Sequence, residues 1–136
     1  MIEKGEVVAE ASYPLTRDSL VRYAGASGDF NPIHYRDDVA ANVGLPGVLA
    51  HGMLTMGAAV QPVVEWLGDP GRVLDYQVRF TRPVVVDAEL GAVLTITATV
   101  AVVNDDGTAR IDLTAKASEQ TVLGKAQVIV RLPESA

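Results

Sequence analysis

The segment Gly52-Met53-Leu54-Thr55-Met56-Gly57-Ala58-Ala59-Val60-Gln61-Pro62-Val63-Val64-Glu65-Trp66-Leu67-Gly68 sets the architecture. It reads as one helix with almost no polar face, and a helix that is apolar all round must be buried on all sides. Pro62 should kink it or be accommodated by a bend. Beyond Gly71 the period of the pattern changes to two. Leu74, Tyr76, Val78 and Phe80 alternate with Asp75, Gln77, Arg79 and Thr81. Leu94, Ile96, Ala98, Val100 and Val102 form a second such series, and Ala109, Ile111, Leu113, Ala115 and Ala117 a third. Val122, Ala126, Val128, Val130 and Leu132 make the last strand, and Asn104-Asp105-Asp106-Gly107 is a hairpin turn. These are antiparallel strands with one apolar face each. A sheet with a single apolar face and a helix apolar on every side pack most economically when the sheet wraps the helix. The fold class is therefore α+β, one domain over residues 1–136. A single sheet covers part of such a helix, and edge strands need covering as well. At least a dimer is expected.

Working back toward the N-terminus, Val7, Ala9, Ala11 and Tyr13 predict a first strand. Thr16 can cap a helix with Asp18 in its first turn and Leu20, Val21 and Ala24 on its apolar side, stopping near Gly25 or Gly28. Asp37 and Asp38 open a second short helix, ended by Gly44 and Pro46. The net charge of -6 argues against non-specific nucleic-acid binding, which needs a basic surface. No cysteine is present, so a disulfide, a Cys-based zinc site and a cysteine nucleophile are excluded. The N-terminus has no apolar segment behind a basic start, and the apolar run Met53 to Leu67 falls short of the about 20 residues that span a bilayer. A cytoplasmic protein without membrane or nucleic-acid partners is expected.

The two histidines, His34 and His51, both fall between the first helix and the buried one. Asp29 precedes His34 by five residues, with Asn31-Pro32 between them holding the segment out of helix. His51-Gly52 stands at the start of the buried helix, whose free N–H groups and dipole can face a developing anion. Loss of water from a β-hydroxy thioester needs a base for the α-proton, an acid for the leaving hydroxyl and donors for the thioester oxygen. A carboxylate, an imidazole and a helix N-terminus supply these. Each residue alone also has a plainer reading: Asp29 as a turn residue, His34 as a hydrogen-bonded structural histidine, Met53, Met56 and Trp66 as core. The spacing of Asp29, His34 and His51 matches no standard metal-ligand motif, so no metal and no cofactor are expected.

Tyr23-Ala24-Gly25-Ala26-Ser27-Gly28-Asp29-Phe30-Asn31-Pro32-Ile33-His34, followed by Leu49-Ala50-His51-Gly52-Met53, resembles the hydratase 2 motif of the MaoC-like dehydratases. The resemblance extends to Gly68-Asp69-Pro70-Gly71 and Val78-Arg79-Phe80-Thr81. Tyr13-Pro14-Leu15-Thr16-Arg17 and His51 to Gly57 are similar to the catalytic B subunit of mycobacterial-type (3R)-hydroxyacyl-ACP dehydratases. It implies a hot-dog fold and a (3R)-hydroxyacyl thioester dehydratase or trans-2-enoyl thioester hydratase of fatty-acid elongation. It makes Asp29 and His34 the catalytic pair, has Asn31 steady the loop and gives the Gly52 amide to an oxyanion hole. The implied substrates are acyl-CoA or acyl-ACP, and the implied assembly is a homodimer or a heterodimer with a second hot-dog subunit. Free-standing CoA hydratases often carry a serine four or five residues after the His-Gly-Met run, where this chain has Gly57. Arg79 and Arg82 are basic residues that could meet a CoA phosphate or an acidic carrier, or simply be solvated. The alternatives are a hot-dog thioesterase and a non-catalytic acyl-binding subunit of a heterodimer. The intact Asp29-to-His34 loop argues against both.

Overall fold

A computed structural model describes residues 1–134. The chain forms β1 (Val7–Leu15), α1 (Arg17–Ser27), α2 (Asp37–Asn42), α3 (Gly52–Leu67), β2 (Val73–Phe80), β3 (Ala92–Val103), β4 (Thr108–Ala117), β5 (Gln120–Thr121) and β6 (Leu123–Arg131). The sheet order is β1-β3-β4-β6-β2, every pairing antiparallel, with β5 added beside β4. The sheet curves over α3, and the core lies between them. Leu94, Ile96, Ala98 and Val100 of β3 and Ala109, Ile111 and Ala115 of β4 are buried in it, facing Ala59, Val63 and Leu67 of the helix. The Asn104–Gly107 turn joins β3 to β4, closed by the Asn104 N–H on the Thr108 carbonyl at 2.9 Å.

α3 runs unbroken through Pro62 and ends at Gly68, whose φ of 74° and N–H bond to the Val64 carbonyl (3.0 Å) close it. Within one chain the helix is covered over part of its surface only, as expected of a single sheet. Thr55, Ala59, Pro62, Val63 and Leu67 are buried, but Gly57, Gln61 and Glu65 are exposed and Met53 is 59% exposed. One concave sheet covers one side of a cylinder, so a single chain leaves the other side open.

Two strand readings need correction. Val102 belongs to the apolar series by parity, yet it is exposed, because the β3–β4 register shifts between Val100 and Val102. A bulge of this kind inserts a residue and turns every later side chain to the other face. In β2, Tyr76 and Val78 turn inward, while Leu74 and Phe80 stay exposed at the sheet's edge. The final series is broken by Lys125, whose φ of 44° marks another irregularity, so that Leu123 and Ala126 are both buried despite opposite parity. The strap from Thr81 to Gly91 carries no clear pattern in the sequence, yet Val84 and Val86 are buried and hold the site in place. Among the described residues no helix is long and apolar enough to cross a membrane.

Candidate active site

The loop that carries Asp29 and His34 is built by its own short polar side chains. A capping box between Thr16 and Ser19 starts α1, and Gly28, at φ 78°, ends it with an N–H bond to the Ala24 carbonyl (2.9 Å). The Asp29 N–H then donates to Ser27 Oγ (3.1 Å), and the Asn31 N–H to Asp29 Oδ1 (3.1 Å). Asn31 Oδ1 in turn accepts from the Ile33 N–H (3.2 Å) and caps a 3-10 turn over Pro32–His34. Asp and Asn bond the backbone two residues on, and Pro32 has no N–H to leave unpaired at the first position of the turn.

Three chain segments then stack in a ladder of backbone hydrogen bonds. The Leu49 N–H donates to the Ile33 carbonyl (3.1 Å), the Ala50 N–H to Val84 (2.8 Å) and the Val86 N–H to Val48 (2.9 Å). Arg17 Nε closes the far side on the Val86 carbonyl at 2.7 Å, while its other nitrogens grip Asp37 at the start of α2. His34 joins the ladder through its ring: Nδ1 donates to the Leu49 carbonyl at 2.7 Å. That bond fixes the tautomer in the neutral ring and leaves Nε2 as the free acceptor. Nε2 lies 3.9 Å from Asp29 Oδ2, with the His34 side chain 10% exposed and that of Asp29 51%. The separation is too long for a direct hydrogen bond, but a single water oxygen about 2.8 Å from each atom fits between them.

His51 lies beneath this pair. Its ring is buried, stacks on the His34 ring at 3.8 Å between centroids and 23° between planes, and receives the edge of Tyr23 at 4.7 Å. Nε2 donates to the Asp29 carbonyl at 3.2 Å, and Nδ1 has no partner among the described residues. Burial pushes the His51 pKa below its ordinary value; the Asp29 carbonyl opposes this, and proximity to His34 adds to it. The neutral form of the ring is thereby favoured. This predicts a pH dependence of stability. The unfolded chain takes up a proton on His51 near pH 6.5 and the folded chain resists it, so the unfolded state binds more protons below that pH. Stability from this group is complete above pH 6.5 and is lost as the pH falls from there through the lower folded-state value. Urea unfolding at a series of pH values should show the slope, and a His51→Phe variant should lack that component.

His34, Gly52, Thr55, Phe80, Arg82 and Val84 are among the walls of a cavity of about 290 Å³. The first turn of α3 opens into it without a side-chain cap. A Cβ on Gly52 would sit 3.1 Å from the Phe80 ring, so a glycine there lets the ring close over the helix start. Of the residues singled out from sequence, Asp29 stands 3.9 Å from His34, and His34 shares a cavity wall with Gly52; Asp29 is not itself among the residues that line that cavity, and Asn31 caps the turn between Asp29 and His34. Arg82 reaches the cavity wall and bonds the Thr121 carbonyl (3.1 Å), whereas Arg79 lines a separate hollow with Lys125. Gly57 is exposed, and an added Cβ there meets nothing within 4 Å; the hydroxyl-bearing side chain of α3 at the cavity is Thr55. Sequence reasoning took no role from Thr55 or Phe80. A polar residue in the otherwise apolar first turns of α3 was the available signal for Thr55. Ligand atoms of Asp29, His34 and His51 lie within 4.8 Å of one another. The 3.9 Å between Asp29 and His34 exceeds the about 3.3 Å edge of a tetrahedral shell with 2.0 Å bonds, and His51 has given one nitrogen to a carbonyl. The donor set is not a preformed tetrahedral metal site.

Residues 2–121 match a family model described as MaoC like domain. Over 77 residues, 57% of the chain, the sequence is 39% identical to 3-hydroxyacyl-thioester dehydratase X of Mycobacterium tuberculosis, covering 26% of that protein. A solved MaoC-like dehydratase superposes with a TM-score of 0.94 at 38% identity, over 97% of this chain and 41% of that one. An R-hydratase of Pseudomonas aeruginosa superposes with a TM-score of 0.80 at 29% identity, over 98% of this chain and 84% of that one. The chain thus spans about a quarter of its mycobacterial relative and less than half of the first solved one. Sheet order, central helix and the extent of these matches agree: the chain belongs to the MaoC-like domain family and has its hot-dog fold.

Proposed function

We propose that this domain adds water to, or removes it from, a (3R)-hydroxyacyl/trans-2-enoyl thioester, with Asp29 and His34 as the catalytic pair. The observation that carries this reading is the 3.9 Å gap between Asp29 Oδ2 and His34 Nε2, with His34 on the wall of a cavity that also receives the uncapped start of α3. A water held in that gap loses a proton to the pair and attacks C3. The C2=C3 electrons move onto the thioester oxygen, which the Gly52 N–H faces, and a proton returns to C2 from the same side. Dehydration is the reverse. Asn31 keeps the loop in register. The names of the relatives support the same chemistry, since a thioester dehydratase and an R-hydratase stand among them.

The acyl carrier is CoA or an acyl carrier protein, and the reaction belongs to fatty-acid metabolism in the cytoplasm. The open side of α3 around Met53, together with Leu74 and Phe80 on the β2 edge, suits a second hot-dog subunit, either another copy or a related chain. The test is loss of the conjugated enoyl absorbance when the purified chain is given short and long trans-2-enoyl-CoA. Turnover to the 3-hydroxyacyl thioester without release of free thiol is expected. Thiol release instead would make the domain a thioesterase, and binding without either reaction would make it a non-catalytic acyl-binding subunit.

A further inference from the structure

We propose that His51 is a positioning residue for the Asp29/His34 pair, its neutral ring fixing the direction of the His34 ring by stacking and the place of Asp29 by a hydrogen bond. The inference rests on the hydratase reading of the site and extends it to a residue that does not reach the cavity.

The argument starts from how each partner is held. His34 is pinned along its plane by the Nδ1 bond to Leu49, but that bond leaves the ring free to swing about the Nδ1···O axis. A flat ring at 3.8 Å and 23° stops the swing, because any tilt of His34 drives its edge into His51. Asp29 is fixed at its carboxylate by the Asn31 N–H and at its backbone by the Nε2–H of His51. One buried ring therefore touches both members of the pair. Tyr23 of α1 also meets that ring, in a T-shaped contact at 4.7 Å between centroids.

The protonation of His51 matters to this arrangement. The titratable groups that face it are Tyr23 from α1 and Asp29 and His34 from the loop. With Nε2 as the donor to the Asp29 carbonyl, the unpartnered Nδ1 carries a lone pair and no proton. A neutral ring offers its π face to His34, which a transiently protonated imidazole can accept as it accepts the face of other aromatic rings. A charged His51 would repel that proton and leave a buried N–H without an acceptor. The stack thus tolerates a change of charge on His34 only while His51 stays neutral.

The chain has two histidines, so the test is clean. In protein labelled with 15N-histidine, correlation of ring nitrogens with ring protons reads tautomer and charge directly, and a His51→Phe variant assigns the signals. The expected result is an Nε2–H neutral His51 at about pH 7 and above, taking up a proton only below the ordinary imidazole value, with the His34 ring signals displaced in the variant. A protonated or Nδ1–H His51 in that range overturns the proposal. In the hydration assay, folded His51→Phe keeps the stack without the donor, and His51→Gln keeps a donor without the ring. Each should lower kcat about 10- to 100-fold with KM changed less than about threefold, the pattern of a mispositioned rather than a missing catalytic group. Each should also displace the acidic limb of the pH profile, which a purely structural loss would leave in place. Parental kcat and an unmoved pH profile in both folded variants would overturn it as well. The NMR measurement needs no substrate, so it tests the positioning role separately from the hydratase reading.

Discussion

Asp29→Asn is expected to lower the turnover of a trans-2-enoyl thioester by about 10²–10⁴-fold while leaving the domain folded. The substitution keeps the shape of the side chain. Its Oδ1 can still accept the Asn31 N–H, the bond that forms the turn. That choice directs the new NH2 toward His34 Nε2, where Asp29 Oδ2 stood at 3.9 Å. A donor then faces the one nitrogen that must accept a proton from water, and the carboxylate that shares the load is gone. The KM should move little, because Asp29 is half exposed and contributes little apolar contact. His34→Gln should fall in the same range, and the double variant should be scarcely worse than either, since groups that act as one unit are not additive. The matching check is thermal unfolding: a Tm within a few degrees of the parent separates lost chemistry from lost fold. Near-parental turnover by folded Asp29→Asn would remove the carboxylate from the mechanism.

Gly91→Val should be the most damaging single change to stability among the strap residues, at about 2–4 kcal/mol, read from the midpoint of urea unfolding. Gly91 has a φ of 68°, in the left-handed region where a β-branched residue is strained. A Cβ there would also lie 2.5 Å from the carbonyl oxygen of Leu15, and a backbone atom at the end of β1 has nowhere to retreat. The turn it closes is tight: Asp87 and Gly91 exchange backbone bonds, and Asp87 Oδ2 accepts the N–H groups of Glu89 and Leu90. Those two N–H groups hold the Asp87 carboxyl below the usual carboxylate range. Because Val84 and Val86, on the same strap, support the segment that grips His34, catalysis should fall along with stability. A variant with the parental midpoint would show that the strap can redraw its path past β1.

The parts of this architecture with a strict period could be read from sequence, and so could the residues with chemical character. β4 reads correctly at every inward position, because a regular strand leaves a period-two record of its burial. Asp29, Asn31, Gly28 and Pro32 could be read because each does a local task that few other residues do, in a loop that needs little from the rest of the chain. Val102 and Leu123 could not, because a bulge changes parity without changing composition. The open face of α3 was legible in outline, because composition records that a side chain will be covered somewhere and a single sheet covers only part of a helix; which residues stay open was not. Thr81 to Gly91 was invisible since its order comes from backbone pairing with a segment more than thirty residues earlier, and such pairing leaves no mark on side-chain type. His51 looked like a helix-start residue, and nothing in its neighbours along the chain foretells that its ring lies flat on His34.

The rungs joining residues 33, 49–50, 84 and 86 run between main-chain atoms, and the rung that orients His34 ends on the Leu49 carbonyl. Main-chain rungs do not depend on which side chains their residues carry. Leu49, half-buried and on the cavity wall, can therefore be exchanged for a larger or smaller apolar residue with the reacting atoms left where they are, whereas Ala50 and Val84 are packed into the core. On the proposed reading, a descendant of this domain can drift from one acyl group to another by small steps at Leu49, and a designer who wants a new chain-length preference should begin there.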